Sequence, residues 1–387
     1  MNALYKAVMP ITPRPEMVLV RGEGSYLWDE QGRRYLDFVQ GWAVNCLGHS
    51  SPVVVEALNK QAAQLINPSP AFYNAPMIEL ANRIVAHSCF DEVFFSNSGA
   101  EANEGAIKLV RKWGQLHKNG AYKIITMHNG FHGRTLATMS ASGKPQWEAL
   151  YEPKVPGFTK VPFNDIDAVT EAIDGDTVAV MLEPVQGEGG VIPADETYLQ
   201  QLRELTHAKG VLLIFDEVQT GIGRLGELFA YQYYGVEPDI MTLGKGLGGG
   251  VPLAALVIKK KFSCFEPGDQ GGTYNGNPLM TAVGNAVMQE IANKEFLMAV
   301  RDKGVYLRDG LAALSSKHRQ AEVRGHGLLL ALQMKGETAV DVVQCARQHG
   351  VLLNAPRANV LRFMPALNVS INEINQMLDV LDSCLSE

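Results

Sequence analysis

The chain has 387 residues, too many for one small core, so two domains are expected. Hydrophobic residues make up 46% and charged residues 19%, and a net charge of −7 with no basic run longer than Lys259-Lys260-Lys261 argues against a nucleic-acid surface. No apolar stretch reaches the ~18 residues of a membrane span, Met1–Met17 lacks the apolar region of a signal peptide, and the cysteines (Cys46, Cys89, Cys264, Cys345, Cys384) show no metal-ligand spacing, so the sequence predicts reduced thiols in a cytoplasmic protein with no metal site.

Residues 1–20, with Pro10, Pro13 and Pro15, predict an extended arm. Ser25–Trp28 and Arg34–Phe38 alternate around Asp29-Glu30-Gln31-Gly32, the pattern of a hairpin. A β/α alternation begins near residue 75. It comprises helix Met77–Ala86, strand Glu92–Ser96, helix Glu101–Lys118 and strands Ala121–Thr126 and Val178–Leu182, then helix Glu196–Ala208 and strands Val211–Phe215 and Ala254–Ile258. Such alternation predicts a parallel sheet with right-handed crossovers. Beyond residue 279 the chain becomes helical (Leu279–Asn293, Phe296–Ser316), then mixed, with strands Gly327–Gln333 and Leu361–Met364 and a last helix over about Asn372–Leu385.

The most informative stretch is Ile240–Pro252, where Lys245 sits among five glycines just after an apolar run. Upstream, Val211–Phe215 reads as a buried strand ending in Asp216-Glu217. A carboxylate at a strand's C-terminal end, followed by a lysine on a glycine-lined turn, is what pyridoxal phosphate (PLP) chemistry requires. Taken singly, such a lysine is more often a surface residue and such a carboxylate a solvated one, so the case rests on conjunction.

Three further segments join it. Ser96–Glu104 carries Ser98, Gly99 and Ala100 from a short strand into a long helix, whose free N–H groups and dipole favour a phosphate. Phe131-His132-Gly133-Arg134-Thr135 follows a strand and offers an aromatic to stack on a ring and an arginine for a carboxylate. Glu183 and Glu188 follow strand Val178–Leu182, at the edge where open α/β sheets bind ligands. Gly271–Pro278, with Thr273, reads from spacing alone as a plain loop. The glycines of Leu243–Gly250 do not form a dinucleotide fingerprint.

Together these segments resemble the class III aminotransferases, PLP enzymes of fold type I, and most closely the acetylornithine and ornithine aminotransferases. The match runs in order along nearly the whole chain, from Ala43-Val44-Asn45 and Gly48-His49 to Arg324–Leu328 and Asn354…Arg362-Phe363. The resemblance implies a large domain (residues 48–278) with a mostly parallel seven-stranded sheet, and a smaller α+β domain from residues 1–47 and 279–387. It implies that Lys245 forms the Schiff base and moves the substrate proton, and that Asp216 pairs with the pyridinium nitrogen. Gln219 would bond the phenolic oxygen, Phe131 stack on the ring, and Ser98, Gly99 and Ala100 bind the phosphate. Thr273 would reach that phosphate from the other subunit of a homodimer. Arg362 would bind the α-carboxylate of 2-oxoglutarate or glutamate, with Glu188 masking it in the other half-reaction. Arg134 would take the α-carboxylate of the amino donor, and Glu183 would support from behind.

Trp42 departs from the family pattern, at a position that faces the substrate tail; a flat indole suits an acylated donor. Leu225, Ser51 and Asn275 depart too, away from the chemistry. The resemblance thus implies transfer of the ω-amino group of N-acetylornithine to 2-oxoglutarate, a step of arginine synthesis. Ornithine, succinyl-diaminopimelate and 4-aminobutyrate are rival donors. A PLP aminomutase or racemase is a rival class, disfavoured by Arg362 and Glu188, and a non-catalytic binding protein is disfavoured by Lys245 and Asp216.

Overall fold

The computed structural model describes residues 7–386, so Met1–Lys6 of the expected arm lie outside the described residues. Its centre is a seven-stranded sheet. The strands are β1 (Glu92–Ser96), β2 (Lys123–Met127), β3 (Phe158–Val161), β4 (Thr177–Leu182), β5 (Leu212–Asp216), β6 (Ile240–Leu243) and β7 (Ala254–Ile258), in spatial order β1-β7-β6-β5-β4-β2-β3. Only β7 runs against its neighbours, so the expected α/β fold with a mostly parallel sheet is what forms. Every residue of β4, β5 and β6 is buried, which explains why they read as unbroken apolar runs rather than alternating ones.

Six strands point the same way, and their C-terminal ends carry Asn97, His128, Glu183, Glu217 and Gly244 onward. All the chemically suggestive segments except Gly271–Pro278 and the terminal pieces therefore meet along one sheet edge. Helix Gly99–His117 leaves β1 through a capping box: Glu101 N–H donates to Ser98 Oγ at 3.3 Å and Ser98 N–H to Glu101 Oε2 at 2.9 Å.

Beside this edge the rest of the chain builds two four-stranded sheets, antiparallel or mixed, and Val185–Gln186 pairs with Ile192–Pro193 in a two-stranded one. The hairpin appears as Tyr26–Asp29 and Arg34–Asp37, extended by Leu19–Glu23 on one side and, in parallel, by Val351–Leu352 on the other. The N-terminal segment is thus stitched to the C-terminal third. A second sheet orders Val323–His326, Leu329–Gln333, Val360–Phe363 and Asn354–Arg357, and places Arg362 opposite Ala331 and Asn354. Helices Lys294–Lys317, Ala339–Gln348 and Ile371–Ser386 pack around these strands, while Pro278–Ile291 packs on Pro52–Ala62 and Ala75–Ala86.

One expectation is corrected. Cys345 and Cys384 are not reduced thiols but form a disulfide, with their Cα atoms 5.7 Å apart. Their separation of 39 residues gives no hint of it; the packing of Ala339–Gln348 on Ile371–Ser386 brings them together. His349 joins them in a cluster that spacing did not suggest, but the two sulfurs are bonded to each other. Cys46, Cys89 and Cys264 are free.

Candidate active site

The site has a buried floor. Asp216, at the end of β5, is 3% exposed. His132 Nδ1 and Asn103 Nδ2 each lie 2.8 Å from its Oδ2, and the Val218 N–H donates to its Oδ1 at 3.1 Å. Thr242 Oγ1 in turn donates to Asn103 Oδ1 at 2.7 Å, so a strand, a helix and a loop hold one carboxylate. Burial opposes charge on His132, but the hydrogen bond and charge of Asp216, with Glu183, outweigh it and raise the ring's pKa. A buried carboxylate fixed this way is a stationary negative charge, fit to hold a protonated ring nitrogen.

Lys245 lies one turn beyond β6 with φ +43°, in the left-handed region that a non-glycine residue adopts only under constraint. It is half-buried, and burial lowers its pKa against the pull of Asp216, Glu188 and Glu183, with Arg362 adding to the lowering. A larger neutral fraction makes a better amine nucleophile and base.

The turn Ser98–Ala100 fits a phosphate. Among the described residues, the N–H groups of Gly99 and Ala100 have no acceptor in the protein. A Cβ on Gly99 would come within 2.6 Å of Val218 Cγ1, so only glycine lets this turn lie against the strand-end residues.

Next to the lysine stands a clamp. Arg362 is 1% exposed, and its Nη2 donates to Glu188 Oε1 at 2.8 Å. Its Nε donates to Asn354 Oδ1 at 2.9 Å and its Nη1 to Gln219 Oε1 at 3.5 Å. A Cβ at Gly187 would fall 1.6 Å from that Gln219 oxygen, so glycine is what admits Gln219 to the site. Burial pushes Glu188 up, but Arg362, then Lys144 and Lys245, hold its carboxyl down at about 2. Glu183, five residues back, accepts the N–H groups of Phe131 (2.9 Å) and Gly187 (3.2 Å) and so ties the aromatic to the clamp's loop.

The mouth is looser. Phe131 is half-buried and its ring lies 5.7 Å from that of Trp147. Arg134 is exposed and stands 5.3 Å over the Trp147 ring. Trp42 is half-exposed on the turn Gln40–Ala43, whose φ values of 48, 64, 63 and 65° make it left-handed. That turn packs on the Lys245–Leu247 turn, and Cys46 Sγ donates to the Gly246 carbonyl at 3.2 Å.

The structure thus gathers Lys245, Asp216, Gln219, Phe131, Ser98, Gly99, Ala100, Glu188 and Arg362 around one edge, with Arg134 and Trp42 at its rim. It does not bring Thr273 to the phosphate turn of its own chain. Among the described residues no hydrogen bond joins the Thr273 hydroxyl to Ser98–Ala100; the loop is tied by Asn275 to Asn97, by the Thr273 carbonyl to Asn67 and by the Gly276 carbonyl to Asn74. Residue-by-residue reading missed Asn103, His132 and Thr242 as partners of Asp216 and its support, and Asn354 as partner of Arg362. His132 and Asn103 lay inside segments singled out for other residues. Lys144 and Trp147 gave no signal.

Fold and donor set define the class: an α/β enzyme built for PLP. Comparison with known proteins gives the family. Residues 10–385 match the model described as "Aminotransferase class-III". The acetylornithine aminotransferase of Ralstonia nicotianae is 59% identical over 98% of this chain and 97% of its own length. The N-acetylornithine aminotransferase of Stenotrophomonas maltophilia, a solved structure, is 38% identical with a TM-score of 0.84, covering 97% of this chain and 96% of that one. An ornithine aminotransferase from Toxoplasma gondii, solved with partial occupancy of PLP at its active site, is 32% identical with a TM-score of 0.95, covering 99% and 93%. The chain belongs to the class III aminotransferases and is a PLP-dependent transaminase.

Proposed function

We propose that the enzyme moves the ω-amino group of N-acetylornithine to 2-oxoglutarate, giving N-acetylglutamate semialdehyde and glutamate. The observation that carries this reading is the Arg362–Glu188 pair at 2.8 Å beside Lys245. A buried arginine masked by a movable carboxylate suits a pocket that admits an amine in one half-reaction and a short dicarboxylate in the next. The name borne by relatives 59% identical supports the acetylated donor. The ornithine aminotransferases among the structural neighbours keep ornithine as the second reading.

PLP, when bound, supplies an aldehyde that captures the amine and a ring that takes up the electrons of a broken C–H bond. In this reading Lys245 would anchor the cofactor, and its Nζ would hold and move the proton lost by the donor. Asp216 would pair with the ring nitrogen and favour its protonated form. Gln219 would hydrogen-bond the phenolic oxygen and Phe131 would stack on the ring. Ser98, Gly99 and Ala100 take the phosphate. Arg134 binds the donor's α-carboxylate at the rim, where a long substrate places it, and Trp42 lies along the acyl tail. Arg362 would clamp the α-carboxylate of the short dicarboxylate bidentately beside Lys245 once Glu188 withdraws.

We also propose a cytoplasmic homodimer in which Thr273 of each subunit completes the other's phosphate site. The exposed side chains Leu65, Ile66, Phe72, Tyr73 and Tyr274, flanking or adjoining the Asn67–Thr273 contact, support an interface there.

The test is a spectral half-reaction without keto acid. N-acetylornithine, ornithine, succinyl-diaminopimelate and 4-aminobutyrate are mixed in turn with the holoenzyme, and conversion of the pyridoxal to the pyridoxamine form is timed. Fastest conversion by N-acetylornithine is expected. Fastest conversion by another amine moves the donor, and no conversion by any of them turns the reading toward an isomerase.

A further inference from the structure

Glu188 has two cationic partners, not one. While Oε1 accepts from Arg362, Oε2 lies 3.3 Å from Lys144 Nζ. Lys144 is not a wandering surface lysine. Its ammonium sits 4.7 Å over the Phe131 ring and 5.2 Å over the Trp147 ring, and its side chain is only 17% exposed. Arg362 is equally fixed, by Asn354 and Gln219. Two stationary cations therefore flank one carboxylate. That carboxylate rides on the turn Gly187–Gly190, whose glycines pack closely against Gln219, Gln186 and Arg324, so the exchange is a rotation of the Glu188 side chain on a fixed backbone.

Withdrawal of Glu188 from Arg362 has a cost that the masking reading leaves open. A three-quarters-buried carboxylate that leaves its arginine without another partner carries an uncompensated charge. We infer that Lys144 is the second seat of Glu188, the cation that receives its carboxylate when Arg362 is handed to the dicarboxylate substrate. Lys144 is in this sense a positioning residue: it acts on the substrate through Glu188 and sets how easily the clamp opens. The inference rests on the proposed exchange of Glu188 between half-reactions and adds the group that makes the exchange affordable. It also fixes direction, since rotation toward Lys144 moves Glu188 toward Phe131 and Trp147 and keeps its charge paired throughout.

The experiment compares wild-type holoenzyme with Lys144→Met, Lys144→Arg, Glu188→Gln and the Lys144→Met/Glu188→Gln double variant. Two quantities are read: the dissociation constant of glutarate, an unreactive dicarboxylate, by calorimetry, and the KM and maximal rate of each half-reaction. Lys144→Met should weaken glutarate and raise the KM for 2-oxoglutarate about tenfold, leave its maximal rate within about twofold, and leave the N-acetylornithine half-reaction within about twofold. Lys144→Arg should restore dicarboxylate binding. In the Glu188→Gln background, Lys144→Met should change glutarate binding by less than twofold, because there is no charge left to reseat.

Equal losses in both half-reactions, or an unchanged glutarate constant, would overturn the inference. So would a full tenfold loss in the Glu188→Gln background, which would mean that Lys144 touches the dicarboxylate itself. Wild-type enzyme that converts an amine yet binds neither glutarate nor 2-oxoglutarate would overturn the acceptor reading beneath it. That failure is distinguishable, because it appears before any lysine variant is made.

Discussion

The floor of the site and its mouth are built on opposite principles. Around Asp216 the side-chain partners are buried: His132 and Asn103, with Thr242 behind Asn103, are each 2% exposed or less, and each comes from a different strand, helix or loop of the large domain. Around the rim, Arg134 is exposed, Trp42 is half-exposed, and Trp147 lies on the short Pro145–Trp147 turn outside the sheet. On the proposed roles, the group that would meet the cofactor ring is anchored by overdetermined packing, while those that would select the substrate hang from side chains with few ties. Glu183 and Glu188, at the two ends of one loop, mark the boundary. Glu183 has only backbone N–H donors, and burial pushes it up to about 7; Glu188 has two cations and is held at about 2. The difference follows from depth and charge partners together: Glu183 is buried against backbone N–H groups, while Glu188 lies nearer the surface between two cations.

The floor is where the largest effects should fall. Lys245→Ala should cut turnover by at least ~10³-fold, since it removes both nucleophile and proton carrier, while circular dichroism shows the fold intact. Residual transamination near wild-type level would remove Lys245 from its role. Asp216→Asn should cost roughly 10²- to 10³-fold in maximal rate with little change in KM, because a neutral amide no longer holds a proton on the ring nitrogen. A KM effect alone would place Asp216 in binding rather than catalysis.

The same division decided what was legible in the sequence. Lys245, Asp216, Ser98–Ala100, Phe131, Glu183 and Glu188 each follow a sheet strand within a few residues, and a buried parallel strand announces itself as an apolar run. Reading the strand ends therefore located most of the floor and the clamp's anion. Arg362 sits inside a short strand, in a second sheet that no local pattern ties to the first, and only resemblance brought it in. Lys144 and Trp147 follow no strand, so nothing in their spacing separates them from a solvated loop. The edge strand Phe158–Val161 was missed because Phe-Thr-Lys-Val is neither an apolar run nor a clean alternation. The pairing of Cys345 with Cys384 arises from helix packing over 39 residues, which spacing cannot encode.

Between floor and mouth, Glu188→Ala should slow the N-acetylornithine half-reaction about tenfold more than the glutamate one, because an unmasked Arg362 captures carboxylates that belong at Arg134. Equal losses would end the masking role. A smaller effect separates the His132–Asp216 pair of the floor from Glu188 of the clamp by pH. His132 has a raised native pKa, so its ion pair with Asp216 contributes fully below the unfolded value of about 6.5 and fades as pH rises through the native one. The stability advantage of wild type over His132→Gln, measured by urea unfolding, should therefore shrink from pH 6 to pH 9. Glu188 runs the other way: its contribution is present above about 4.5 and lost as pH falls toward about 2. An advantage over His132→Gln that grows with pH would show that the ring is neutral in the fold.

The smallest effect sits at the rim and tests whether its strain serves selection. Trp42 occupies a left-handed turn with φ +63°, a conformation that costs a non-glycine residue roughly 1–2 kcal/mol. If the indole lies along the acyl tail, Trp42→Ala and Trp42→Gly should raise the KM for N-acetylornithine by a similar ~3- to 10-fold and leave that for 2-oxoglutarate nearly unchanged. The two variants should differ in stability instead. Glycine loses about 0.4–1 kcal/mol relative to alanine through the unfolded chain, but relief of the left-handed strain offsets that loss. Trp42→Gly should therefore be at least as stable as Trp42→Ala, against the usual order. A KM change shared by both substrates would mean that Trp42 shapes the whole entrance rather than the tail, and a glycine variant clearly less stable than alanine would mean that the turn relaxes once the indole is gone.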